Sequence, residues 1–224
     1  MGDEVRANEQ LVAHSIQVSR RELLLVDELD LALTPGQTLA LVGPSGAGKT
    51  SLLRTLAGLS PPQHGTVTRP AGRIGLVFQE PRLLPWRSAL DNVALALHGP
   101  REQRRATART WLRGVHLDEA AANLRPARLS GGMRQRVSIA RALAIEPTLV
   151  FVDEPFSALD RALAEELRAD LSKLLTARRC ITVWITHDPR EAQEIADLTL
   201  TLSGPPTGAW TLTTSPAPKP LALL

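Results

Sequence analysis

One octapeptide limits what this chain can fold into more than any other stretch. Gly43-Pro44-Ser45-Gly46-Ala47-Gly48-Lys49-Thr50 fits the pattern GxxxxGK[ST]. The residues before it, Gln37 to Val42, read as a short apolar strand. Those after it, Thr50 to Leu59, read as a helix that Gly58 and Pro61-Pro62 stop. Strand, Gly-rich loop and helix are the context the pattern requires. Glycines let backbone N–H groups converge on an anion with no Cβ in the way. The start of a helix adds partial positive charge. Lys49 can reach the outer phosphates of a nucleotide, and the Thr50 hydroxyl can ligate Mg²⁺. A random chain of this length matches the pattern roughly once in a hundred, and the correct flanks lower that further. Alone, the motif leaves kinases, GTPases and helicases open.

The rest of the chain alternates strand and helix patterns. His14 to Val18 and Glu22 to Leu33 read as strands, with a turn at Pro35-Gly36. Gly65 to Thr68 and Arg73 to Gln79 add two more. From Ser88 to about Asn123 the composition shifts to Ala, Leu and Arg at helical spacing, broken once at Gly99-Pro100. Gly132 to Ile145 and Arg161 to Arg178 read as helices, and Pro189 to Ala196 as a short one. Thr148 to Val152 and Cys180 to Thr186 are apolar strands. Leu198 to Leu202 and Trp210 to Thr213 are weaker strands, and Ser215 to Leu224, with three prolines, reads as an irregular tail. This order predicts an α/β fold with a mostly parallel core sheet and right-handed crossovers, interrupted by a helical lobe. The expected division is an α/β core over 1–87 and 136–214, a helical subdomain over 88–135 and a tail over 215–224.

Composition removes some classes. With 43% hydrophobic and 22% charged residues, disorder is not the default. The net charge of +3 is small, since 26 basic residues face 23 acidic ones. It does not choose among nucleic acid, nucleotide phosphates and an anionic membrane face. Outside the segment Leu129 to Arg136, the arginines of 101–109 and 125–141 are read mainly as solvated helix faces. The one cysteine, Cys180, excludes an internal disulfide and is expected to be buried. The polar N-terminus lacks the apolar core of a signal peptide, and no apolar run approaches the ~18 residues of a membrane span. Any membrane connection is expected to come through a partner.

Two further segments carry chemistry. Leu149-Val150-Phe151-Val152-Asp153-Glu154 is an apolar strand ending in two acids, at the strand end where ligands gather in open α/β sheets. Asp153 can hold Mg²⁺ through a water, and Glu154 can orient or deprotonate an attacking water. Leu129-Ser130-Gly131-Gly132-Met133-Arg134-Gln135-Arg136 places a Ser and two Gly at an expected helix start, a second anion-binding device. One nucleotide does not need two cradles in one pocket, whereas a head-to-tail dimer uses both.

The order of these motifs resembles the ABC ATPase family over nearly the whole chain. The series runs from the phosphate loop through Gln79, the signature at Leu129 to Arg136, Asp153-Glu154 and Ser157-Ala158-Leu159-Asp160 to His187. The resemblance implies a P-loop NTPase fold with N-terminal antiparallel β-strands. It implies ATP and Mg²⁺ as ligands and hydrolysis by an in-line water. The nucleotide would be held by Gly43, Pro44, Ser45, Gly46, Ala47, Gly48, Lys49, Thr50 and Ser51. Across a dimer it would also meet Ser130, Gly131, Gly132 and the D-loop acid Asp160. Glu154 looks like the catalytic base, His187 like the switch histidine on the γ-phosphate, and Gln79 like the Q-loop residue that senses metal and water. Thr50, Gln79 and Asp153 would face the metal.

Val77-Phe78-Gln79-Glu80-Pro81-Arg82-Leu83-Leu84-Pro85-Trp86, with Asp91-Asn92-Val93 and Met133, looks like importers of the nitrate, sulfonate and taurine type. The implied partners are a second copy of the chain, two transmembrane permease subunits and a periplasmic or extracellular solute-binding protein, with no nucleic acid. The implied place is the cytoplasmic face of the inner membrane. Trp86 is either an anchor facing the permease or a core residue of the helical lobe. Such ATPases usually stack adenine on an aromatic near Ser19, Arg20 and Arg21, where this chain has none; either an arginine plane stacks there instead or the adenine is loosely held. The chain is expected to carry no extra C-terminal regulatory domain of the kind some importers have. The rival readings are a non-transport ABC ATPase acting on nucleic acid or ribosomes, and an ABC exporter subunit.

Overall fold

The computed structural model describes residues 9–157 and 159–214. The tail at 215–224 lies outside the described residues, as does Ala158. The chain divides into two units, residues 1–71 with 178–224, and residues 72–177. The segment 88–135 lies inside the second.

The first unit begins with an antiparallel hairpin, β1 (Leu11–Arg20) and β2 (Leu23–Leu33), turning at Arg21-Glu22. β4 (His64–Thr68) pairs with the other edge of β1. The inward alternation of β1 changes phase midway: Leu11 and Ala13 are buried, then Ile16 and Val18. The extra residue sits at Ser15, whose φ of 44° marks a bulge, and Glu28 on the facing strand has φ 46°.

The half of this unit that carries the 43–50 loop is a mostly parallel arrangement. β3 (Thr38–Val42) lies between β7 (Ile181–Ile185) and β8 (Leu198–Gly204), and β9 (Ala209–Thr214) runs antiparallel along β8. Leu39, Ala40 and Leu41 are wholly buried, as expected of a strand covered on both faces. Helix α1 (Lys49–Leu56) buries Leu52, Leu53 and Leu56 and stops short of the expected Leu59, which is exposed. The left-handed Gly58, φ 77°, ends it.

In the second unit β5 (Ile74–Val77) pairs in parallel with β6 (Leu149–Asp153). Gln79 therefore stands beyond the end of its strand. The helices are α2 (Ala89–Ala94), α3 (Arg101–Gly114), α4 (Glu119–Ala122), α5 (Gly131–Leu143) and α6 (Arg161–Ala177). The helical stretch breaks twice rather than once. After Gly114, His116 turns left-handed at φ 57°, and Asp118 restarts the chain by accepting the Ala121 N–H at 2.7 Å. Leu90, Val93, Ala108, Leu112 and Leu117 form the apolar side of this bundle.

Back in the first unit, α7 (Pro189–Ile195) packs Ala192 and the following Ala196 on Ala40. Asp197 clasps the start of β3, its carboxylate accepting the Thr38 N–H at 2.8 Å. Cys180 is buried, and burial pushes its thiol pKa up.

Candidate nucleotide site

The phosphate loop hangs between β3 and α1, and its shape depends on glycine. Gly43 has φ 147°, and a Cβ there would lie 2.5 Å from the Leu202 carbonyl oxygen. Gly46, at φ 82°, has nothing within 4 Å of where a Cβ would stand, so the loop is open on that side. Gly48 is the N-cap of α1 with φ 99° and no side-chain cap, leaving the helix start to be met by a ligand. The Lys49 ammonium, nearly buried, donates to the carbonyls of Gly43 at 2.8 Å and Pro44 at 3.0 Å. A cation is thus fixed at the loop, where an anion would complete its coordination.

His187 follows β7 and lines a cleft of about 570 Å³ together with Gly43 and Pro44. The turn that carries it is braced from below. The Glu191 carboxylate accepts the Thr186 hydroxyl at 2.7 Å and the Trp184 indole N–H at 3.1 Å. Asp188 donates its N–H to Thr186 Oγ1 and caps α7 by accepting the Arg190 N–H at 2.8 Å. Glu191 was not among the residues expected from sequence. The signal was present in Asp188-Pro189-Arg190-Glu191, an N-cap acid followed three residues later by Glu.

In the second unit Asp153 closes β6, and Glu154 turns out of the strand with φ 41°, left-handed for a residue that carries a Cβ. Its carbonyl accepts the Ser157 hydroxyl at 3.1 Å and lies 3.4 Å from the Ser157 N. The Gln79 Nε2 donates to Ser157 Oγ at 3.0 Å. Asp160 accepts the Leu163 N–H at 3.0 Å, which caps the first turn of α6.

Ser130 caps α5, its Oγ accepting the Met133 N–H at 3.2 Å, and Gly131 and Gly132 open the helix. Two side chains of α5 grip the segment that follows β5. Gln135 donates to the Phe78 carbonyl at 3.2 Å, and Arg141 to those of Pro81 at 2.8 Å and Arg82 at 2.9 Å. Arg141 is therefore a structural clamp rather than a solvated charge, and desolvation lowers its pKa. Arg82 also lies 4.3 Å above the Phe78 ring.

A profile described as ABC transporter matches residues 26–157, from β2 through the phosphate loop, the signature segment and both carboxylates. The chain belongs to the ABC transporter family. It is an ATP-binding, ATP-hydrolysing subunit of that family. An aliphatic sulfonates import ATP-binding protein from Frankia alni is 48% identical over 179 residues, covering 80% of this chain and 71% of the relative. A bicarbonate transport ATP-binding protein from Synechococcus elongatus is 39% identical over 209 residues, covering 88% and 75%. Among solved structures, a dimeric ATP-binding cassette in a post-hydrolysis state with ADP and Pi superposes with TM-score 0.80. It shares 28% identity over 92% of this chain and 99% of the other. An ABC transporter in an inward-facing conformation gives 0.83 at 29% identity, over 93% and 84%.

Within this ABC ATPase, Trp86 is 64% exposed, so its reading as a core residue is corrected. The loop before α2 is held instead by buried Asn92, whose amide accepts the Leu84 N–H at 2.7 Å and donates to the Leu84 and Ser88 carbonyls. That frame leaves the indole outside. Arg20 and Arg21 stand exposed at the tip of the first hairpin. Among the described residues no helix is long and apolar enough to cross a membrane. The donor set expected for Mg²⁺ suits a hard cation, being the Thr50 hydroxyl, the Asp153 carboxylate and an amide oxygen. Because the Gln79 –NH₂ is given to Ser157, it is Oε1 of that side chain that remains to face a metal.

Proposed function

We propose that this ABC ATPase drives import of a small solute, of the nitrate, sulfonate and taurine class, through a membrane permease. The observation that carries the reading is the identity of 48% and 39% to ATP-binding proteins of sulfonate import and bicarbonate transport. The exposed Trp86, on a loop fixed by Asn92, supports it as an anchor for the permease. Lys49 and the amides of the Gly43–Ser51 stretch bind the phosphates. Thr50, Asp153 and Gln79 would hold Mg²⁺, which would supply charge neutralisation at the phosphates. Glu154 takes the proton of the attacking water, and His187 contacts the γ-phosphate. Each ATP is shared between the phosphate loop of one copy and Ser130, Gly131, Gly132 and Asp160 of a second. Closure of that dimer pushes on two permease subunits at the cytoplasmic face of the inner membrane, and a solute-binding protein delivers the cargo.

The test is reconstitution of the chain with its permease in vesicles, following labelled sulfonate, nitrate and bicarbonate. ATP-dependent uptake of one of them is expected, and outward pumping of all would refute import. In the same system Glu154→Gln is expected to lower kcat by about a hundredfold or more while ATP binding persists. It should also accumulate an ATP-bound dimer in size-exclusion chromatography. A variant that binds Mg-ATP normally yet stays monomeric would remove the shared site.

A further inference from the structure

One hydroxyl joins the two groups of the second unit that are given separate tasks in hydrolysis. Ser157 Oγ accepts from Gln79 Nε2 at 3.0 Å and donates to the Glu154 carbonyl at 3.1 Å. A serine hydroxyl has a single proton to donate. With that proton on the Glu154 carbonyl, Oγ can meet Gln79 only as an acceptor. It must therefore draw the –NH₂ of the amide and turn the Oε1 end away. The same hydroxyl holds the carbonyl of a residue whose backbone is left-handed, at φ 41°. Such a conformation persists where surrounding contacts over-determine it.

We infer that Ser157 is a positioning residue for ATP hydrolysis, aiming the Gln79 amide oxygen toward the metal and water while holding the turn at Glu154. Its hydroxyl touches neither nucleotide nor water in this role; it acts through Gln79 and Glu154. The hydrogen bond from Gln79 spans 78 residues of sequence and joins the segment after β5 to the turn after β6. Ser157 is exposed, so water competes for the same partners and the expected effect is moderate. The inference rests on Gln79 being the residue that faces the cation.

The experiment compares Ser157→Ala, Ser157→Thr, Gln79→Ala and the double variant Gln79→Ala with Ser157→Ala, all in the full chain. Two readouts are used, steady-state ATP hydrolysis and calorimetric ATP affinity with and without Mg²⁺. Ser157→Ala is expected to lower kcat about fivefold to tenfold. Part of the gain in ATP affinity that Mg²⁺ brings should be lost, with KM rising in step, while affinity without Mg²⁺ stays within about twofold. Ser157→Thr, which restores a hydroxyl, should recover both. In the Gln79→Ala background the serine change should cost clearly less than it does alone, because its main partner is gone. Full additivity, a loss that threonine does not rescue, or an Ser157→Ala protein with unaltered kcat and Mg²⁺ dependence would each overturn the inference. If Gln79→Ala is itself silent in both readouts, the placing of Gln79 at the cation fails, and the role of Ser157 fails with it. An active-site defect in Gln79→Ala beside a silent Ser157→Ala removes only the serine.

Discussion

Two helices of this chain begin at glycine-containing segments, both proposed above to meet phosphate, and they begin differently. Helix α1 starts from Gly48, left-handed and without a side-chain cap. Helix α5 starts from Ser130 in extended backbone, with its own hydroxyl on the Met133 N–H. Neither has an acid in its first turn, so both keep the positive end of the helix dipole uncompensated. The first is a site made of backbone, whose amides wait for an anion. The second is already partly satisfied, because the Ser130 hydroxyl accepts the Met133 N–H, while its own proton is a further donor. The first therefore serves as a grip. The second is suited to respond, since Gln135 and Arg141 tie the same helix to the segment just after β5.

The largest effect that can test this contrast falls on the backbone-built loop. Gly43→Ala forces a Cβ to within 2.5 Å of the Leu202 carbonyl at a φ of 147°. Both the contact and the dihedral oppose it, so a loss of about 3 kcal/mol in folding stability is expected. Urea denaturation measures it. A loss below about 1 kcal/mol would mean the loop can be rebuilt cheaply and is not fixed by its backbone.

Lys49→Ala comes next. Its ammonium is anchored on the Gly43 and Pro44 carbonyls, so it is already placed before any phosphate arrives. Removing it should weaken ATP binding about tenfold to a hundredfold, the scale of a charge-assisted contact. Calorimetry on monomeric protein reads this directly. An equal loss on changing Ser130 would erase the distinction between grip and responder.

The two sites also differed in how far they could be read from sequence. The phosphate loop was legible because its chemistry lies in consecutive residues, with glycine spacing that few other structures demand. The buried strands β3, β6 and β7 were legible as continuous apolar runs. Bulges at Ser15 and Glu28 were not, because nothing in their side chains announces left-handed backbone. The second helix break at His116 was missed because Gly114 alone is a weak stop, and Asp118 gains its meaning only as a cap. The contacts of Ser157 with Gln79 and of Arg141 with Pro81 join residues far apart in the chain. Periodicity carries no information about such pairs. Trp86 could not be assigned from composition, and its exposure decided against the core.

A smaller effect is expected at Ser130. Ser130→Ala removes the cap on the Met133 N–H, which should cost about 1 kcal/mol of stability. Monomer ATP affinity should stay within about twofold, while ATP-driven dimerisation weakens. Equilibrium unfolding and light scattering with the Glu154→Gln partner change in place separate the two. An alanine protein that dimerises as well as its parent would leave Ser130 as a cap and nothing more.

The smallest change in stability is the most discriminating. A Cβ at Gly131 would meet only Leu159 Cδ2 at 3.5 Å, an ordinary contact. Its own fold therefore gives little reason for glycine at the start of α5, where alanine is the better helix former by up to about 1 kcal/mol. Gly131→Ala should leave the thermal midpoint unchanged or raise it slightly. Gly43→Ala does the opposite, because there the fold itself requires glycine. If Gly131 is kept small for something outside the chain, the stabilised variant should lose ATP-dependent dimerisation and hydrolysis despite its sounder helix. In the proposed shared site, a methyl group at that position would stand in the way of a second copy's nucleotide. Should Gly131→Ala instead be more stable and fully active, the open start of α5 would have no ligand to explain it.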